Sequence, residues 1–160
     1  MKIIKQDIVY KVAQSLDELH PNDQELILQA KHFANRSYSP YSKFKVGVAA
    51  KLKSGKIVGG ANQENASFPI SVCAEQTVLT NCVINHPKDP IMQIAITAKS
   101  AIQKIIAPVT PCGACRQSIA EYEQRQTAPI QLILQGETGP IYIIDGVSHL
   151  LPLSFDGSVL

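Results

Sequence analysis

The chain contains no Trp, and aromatic residues make up only 6% of its 160 positions. Platforms for single-stranded nucleic acid are built from such rings, so a nucleic-acid partner is not expected. Lys and Arg total 15 against 13 Asp and Glu, a net charge of +2, and no basic run is long enough to follow a polyanion. No stretch approaches the ~20 consecutive apolar residues of a membrane-spanning helix, so no membrane partner is expected either. The N-terminus, MKIIKQDIVY, lacks the apolar core and small-residue cleavage site of an export signal. The expected compartment is therefore the reducing cytoplasm, where cysteines serve as thiols, metal ligands or redox groups rather than as disulfides. Internal repeats, low-complexity segments and linkers are also missing.

What is present fits one domain over 1–160, with an N-terminal extension over 1–20 and a core over 25–155. Apolar content is 45% and charged content 18%, ordinary for a chain of this size. Residues 3–12 are rich in β-branched side chains and read as a strand. Ser15 to Glu18 has capping-box spacing and predicts a turn of helix. Asn22 is the expected N-cap of a longer helix, with Leu26, Ile27, Ala30, Phe33 and Ala34 on its apolar face and an end near Ser37. Segments 44–53 and 56–62 flank Ser54-Gly55 and predict a hairpin. Helices are expected over 73–84 and 113–124, and strands over 91–98, 130–135 and 140–144. The order predicts an α/β fold: three layers, α/β/α, with a mixed five-stranded sheet and helices on both faces.

Two helix starts carry the chemistry. Pro111-Cys112-Gly113-Ala114-Cys115-Arg116 places two sulfurs at a helix N-terminus, where peptide N–H groups favour thiolates. Alone, this pair reads equally as a redox dithiol or as half a zinc site. Cys73 supplies a third sulfur at a second predicted helix start. Cys82 lies about two and a half turns along that helix and cannot reach the same ion. Three protein ligands leave a tetrahedral position open, the arrangement of catalytic rather than structural zinc. Glu75, two residues beyond Cys73, could face the open position and carry protons.

The sequence Cys73-Ala74-Glu75 followed by Pro111-Cys112-Gly113-Ala114-Cys115 resembles the zinc deaminase signature. More narrowly, Asn62-Gln63-Glu64-Asn65-Ala66 and Tyr38-Ser39-Pro40-Tyr41-Ser42-Lys43-Phe44-Lys45-Val46-Gly47 are similar to motifs of the cytidine deaminase family. The resemblance runs from about Glu25 to Phe155. It implies one zinc ion per subunit on Cys73, Cys112 and Cys115, with Glu75 as the proton carrier. It also implies that Asn62 and Glu64 hold the ribose of a nucleoside, that Phe44 packs on the pyrimidine, and that the Ala74 backbone reads the base edge. Small members of the family are homotetramers with shared active sites, and Phe68 and Phe155 stand where aromatic residues reach a neighbouring site. The implied reaction is hydrolytic deamination of cytidine and deoxycytidine in pyrimidine salvage.

One position departs from the family pattern. Members with three cysteine ligands usually carry Arg directly after the catalytic Glu, and this chain has Gln76. Three thiolates on Zn²⁺ leave a site of net charge −1. Gln76 can donate hydrogen bonds but brings no charge, which leaves Arg116 as the nearest cation in sequence. A slower or alkaline-shifted enzyme is expected. The competing readings are a deaminase of another aminopyrimidine nucleoside such as blasticidin S, an editing enzyme for tRNA or single-stranded DNA, and a zinc-stabilised binding module.

Overall fold

In the computed structural model, residues 1–157 are described. A single six-stranded sheet runs β1 (Lys11–Ala13), β6 (Ile141–Asp145), β5 (Gln131–Gln135), β4 (Ile91–Ser100), β2 (Phe44–Leu52) and β3 (Ile57–Ala61) in spatial order. Only β4 and β5 are parallel; every other neighbouring pair is antiparallel. The parallel pair needs a crossover, and α3 (Gly113–Gln126) supplies it. Helix α1 (Pro21–Ala34) covers one face, while α2 (Ala74–Asn85) and α3 cover the other. The three-layer expectation therefore holds, with six strands in place of five. The extra strand is β1, which pairs Lys11 to Ala13 with Ile143 to Ile141 at the sheet edge. Among the described residues, no helix is long and apolar enough to cross a membrane.

Alternation along the strands divides the core in two. Val48, Ala50, Ile94, Ile96, Leu132 and Leu134 pack under α2 and α3 with Val78, Leu79 and Ile119. Ala49, Ala95 and Ile133 point the other way, onto Leu26, Ile27 and Ala30 of α1. This inversion between successive residues is the period-two geometry of a strand buried on both faces. At Gly47 the α1 backbone lies close against β2. A Cβ there would lie 2.1 Å from the Ala30 carbonyl oxygen and 2.3 Å from the Ala34 nitrogen, so only glycine lets α1 sit flat on β2.

Several boundaries differ from the expectations. The predicted strand over 3–12 reduces to β1, because Ile3, Ile4, Ile8 and Val9 are exposed and lack a layer to pack on. Helix α1 is capped by His20, whose Nδ1 accepts from the Asn22 N–H at 3.3 Å, and Pro21 fills the first helical position. The cap thus lies two residues before the predicted Asn22. Helix α1 stops at Ala34 rather than near Ser37, with the Arg36 N–H closing on the Phe33 carbonyl at 2.8 Å. Ser15 makes no capping bond in the short 3-10 turn over Leu16–Glu18; instead the Glu18 carboxylate accepts from the Gln14 N–H at 3.1 Å.

Candidate active site

Two helix N-termini meet on one side of the sheet, and each begins on a cysteine. Cys73 is the N-cap of α2 (φ −67°, ψ 151°) and Cys112 is the N-cap of α3 (φ −67°, ψ 168°). Both backbones are extended at the cap and already accept the first helical bonds, from Thr77 at 3.2 Å and Arg116 at 2.9 Å. Neither side chain caps its own helix, so both sulfurs are free to turn toward a common point. Cys115, one turn into α3, is fully buried and completes the group.

The three sulfurs lie within 4.8 Å of one another. Sulfurs held about 2.3 Å from one tetrahedral ion stand at such separations, so this donor set fits zinc. Among the described residues, no fourth His, Cys, Asp or Glu joins the group. Cys82 lies apart in the core beneath α2, where burial pushes its thiol up to about 11. A hydrogen bond from the Cys115 thiol holds Cys73 down to about 6, even though burial and the Glu75 charge oppose it. The same bond, together with burial, raises Cys115 strongly. Ion binding releases the protons that the thiols still hold.

Glu75 sits in the first turn of α2 and is 6% exposed. Loss of solvent raises its pKa above the ordinary carboxylate range, against smaller lowering contributions from its own backbone N–H and from Cys115. A buried carboxylate beside three sulfurs can hold a proton nearer to neutral pH than an exposed one can.

A cavity of about 480 Å³ opens over this group. Cys73, Ala74, Glu75 and Cys112 line it together with Phe44, Asn62 and Glu64. The two β2–β3 ends are tied together by Asn62: Nδ2 donates to the Phe44 carbonyl at 3.0 Å, and Oδ1 accepts from the Val46 N–H at 2.8 Å and from the Ser37 hydroxyl at 2.6 Å. Glu64 accepts from the Tyr41 and Ser42 N–H groups and from the Ser42 hydroxyl. The hydroxyl is the largest of the causes that lower its pKa, so Glu64 faces the cavity as a carboxylate.

Sequence reasoning named seven of these lining residues but missed Ser42, Val46, Gln63, Ser71, Val72, Val109 and Thr110. Ser42 stands inside a recognised motif, yet its partner is 22 residues away and invisible to local spacing. Val109 and Thr110 precede Pro111 and hang from Arg116, whose guanidinium donates to Thr110 Oγ1 at 3.3 Å, the Pro111 carbonyl at 2.8 Å and the Leu150 carbonyl at 3.0 Å. Gln76 turns its amide to Ser118 Oγ at 2.6 Å rather than to a sulfur. Among the described residues, Phe68 and Phe155 do not line the cavity of their own chain. Phe68 stacks edge-on against Tyr41 at 5.7 Å, and the Phe155 carbonyl is held by Gln117 Nε2 at 2.8 Å with its ring 60% exposed.

Comparison with known proteins matches residues 20–128 to the model of the cytidine and deoxycytidylate deaminase zinc-binding region. A cytidine deaminase of Halalkalibacterium halodurans is 39% identical over 132 residues, which covers 82% of this chain and 92% of that one. The crystal structure of a cytidine deaminase from Burkholderia pseudomallei superposes with a TM-score of 0.71 at 33% identity, over 82% of this chain and 97% of that one. A cytidine deaminase from Mycobacterium tuberculosis superposes with a TM-score of 0.63 at 27% identity, over 82% and 95% respectively.

Proposed function

The chain belongs to the family defined by the cytidine and deoxycytidylate deaminase zinc-binding region, and on that premise we propose that it hydrolyses cytidine and deoxycytidine to uridine and deoxyuridine with release of ammonia, as a step of pyrimidine salvage. The observation that carries this reading is the meeting of Cys73, Cys112 and Cys115 beside one cavity, which Cys73, Cys112 and the buried Glu75 line.

Zinc held by the three cysteines supplies, when bound, a Lewis acid that activates water at neutral pH. Glu75 accepts the proton of the attacking water and delivers it to N3 of the pyrimidine, which draws electrons from C4. The water oxygen bonds to C4, and Glu75 carries a second proton to the 4-amino group. The C4–N bond then breaks and the nitrogen departs as ammonia. A carboxylate whose pKa is raised by burial suits both transfers, since proton exchange is most effective near the working pH. Phe44 packs against the ring, the Ala74 backbone reads the base edge, and Asn62 with Glu64 holds the sugar. Gln76 and Arg116 support the ligand helices from behind.

Two features support a homotetramer with shared sites. Phe68 (68% exposed) and Phe155 leave their own cavity free to reach another. Exposed apolar residues Ile70, Val72 and Ile84 line a groove beside Cys73 on the outer side of α2, a surface suited to a second subunit. A cytoplasmic location fits cysteines that must stay reduced to bind the ion. A free nucleoside rather than a nucleic acid fits the near-neutral charge of +2.

An ultraviolet assay of cytidine and deoxycytidine loss, with blasticidin S as a competing substrate, tests the activity. Turnover on the two nucleosides that vanishes in Glu75→Ala is the expected result. No turnover on either nucleoside at any pH removes the reading.

A further inference from the structure

One turn, residues 39–44, brings the two proposed substrate-binding groups Glu64 and Phe44 to a common atom. The Tyr41 and Ser42 N–H groups donate to Glu64 Oε2 at 2.9 and 3.3 Å, and the Ser42 hydroxyl donates to Glu64 Oε1. Successive N–H groups that converge on one carboxylate form an anion nest. The same Ser42 oxygen accepts from the Phe44 N–H at 3.0 Å. Lys43, between them, takes a left-handed conformation (φ 57°), and its N–H closes the turn on the Ser39 carbonyl at 3.2 Å. A non-glycine residue holds that conformation only where its surroundings fix it. Phe44 is thus fixed at both ends, its N–H by Ser42 and its carbonyl by Asn62.

We propose that Ser42 is a positioning residue of the sugar subsite: its hydroxyl sets the spacing between the Glu64 carboxylate and Phe44, so that one nucleoside engages both. The inference rests on the reading of Glu64 and Phe44 given above. A carboxylate offers about four lone-pair sites. Oε2 fills two and Oε1 one with bonds from the 41–42 turn, which leaves one acceptor site on Oε1 for a sugar hydroxyl. Cytidine and deoxycytidine differ at the 2′ position, so a contact that serves both goes to the 3′ or the 5′ hydroxyl. Without Ser42 Oγ, Glu64 keeps only its two Oε2 bonds and rotates about them, and the Phe44 N–H loses its acceptor.

The test compares wild type, Ser42→Ala, Ser42→Thr and Glu64→Gln, each zinc-loaded, on cytidine, 3′-deoxycytidine and 5′-deoxycytidine. Zinc content and melting temperature are measured alongside kcat and KM. Ser42→Ala is expected to raise KM for cytidine about tenfold, the scale of one hydrogen bond to a charged group, with kcat little changed. The penalty shrinks on whichever deoxynucleoside lacks the hydroxyl that Glu64 holds, leaving the part owed to Phe44, and Ser42→Thr restores wild-type values. Glu64→Gln shows the same dependence on substrate. If Glu64→Gln is indifferent to the sugar hydroxyls, the ribose role of Glu64 fails and takes this inference with it. If Glu64→Gln depends on them and Ser42→Ala does not, only the role of Ser42 fails. A Ser42→Ala penalty equal on all three substrates, or matched by Ser42→Thr, makes Ser42 merely structural and also overturns the proposal.

Discussion

Gln76 Nε2 donates to Ser118 Oγ at 2.6 Å and so joins the helix that starts at Cys73 to the helix that starts at Cys112. Gln76 therefore acts here as a neutral strut. Arg116 makes no donor contact with the sulfurs, since its donors go to the Pro111 and Leu150 carbonyls and to Thr110. Three thiolates on a divalent ion keep a net negative charge, which weakens the ion as an acid. Gln76→Arg is predicted to raise turnover and to move the acid limb of the kcat/KM profile to lower pH. Identical profiles for the two proteins would remove the charge argument.

Removal of a ligand separates metal loss from cavity formation. Cys112→Ala should lose zinc and activity together, as read by metal analysis on the purified protein. Cys82→Ala should keep one zinc per chain and full turnover, since Cys82 is a core residue 2% exposed. Its cost is confined to stability, on the order of 1 kcal/mol for the lost packing. A Cys82→Ala protein without zinc would mean that the ligand set is wrong.

Glu75 links activity to stability in opposite directions. Glu75→Gln should lower kcat by about 10²- to 10⁴-fold, the usual scale for a lost general acid–base group. Burial raises the folded-state pKa of Glu75 above its unfolded value, so the folded protein holds this proton to higher pH than the unfolded chain does. Its contribution to stability is then favourable at low pH and declines as pH rises from the unfolded to the folded value. At pH 7, zinc-free Glu75→Gln should melt no lower than zinc-free wild type. A clear drop in melting temperature would show that the ionised carboxylate stabilises the fold instead.

The contact between α1 and β2 makes a purely structural prediction. Gly47→Ala drives a Cβ against the backbone of Ala30 and Ala34, which cannot yield as a side-chain tip can. A loss of about 1–3 kcal/mol is expected, the usual range for overpacking. Thermal melts should show it while zinc stoichiometry is unchanged, because α1 lies on the face opposite the cysteines.

Much of the site was legible because its signals are local. Cys73 and Cys112 stand at helix starts marked by Pro, Gly and the onset of helical spacing, and both are N-caps in the structure. Cys82 was rightly set apart by counting turns. The elements that misled are those decided by tertiary packing. The β-branched run over 3–12 has strand propensity throughout, but only Lys11–Ala13 finds a partner strand. His20 displaced Asn22 as cap of α1 because Pro21 already filled the first helical position. Ser42 and Ser118 escaped notice because each owes its role to a residue far away in sequence, Glu64 and Gln76.

A zinc titration of the metal-free enzyme, with cytidine turnover read at each point, tests the central claim most directly. The account predicts that activity rises from zero in proportion to zinc, saturates at one ion per chain, and is absent at every point in Glu75→Ala although that variant binds the same single ion. Activity that is independent of zinc, or a zinc-loaded Glu75→Ala that still turns over cytidine, would contradict it.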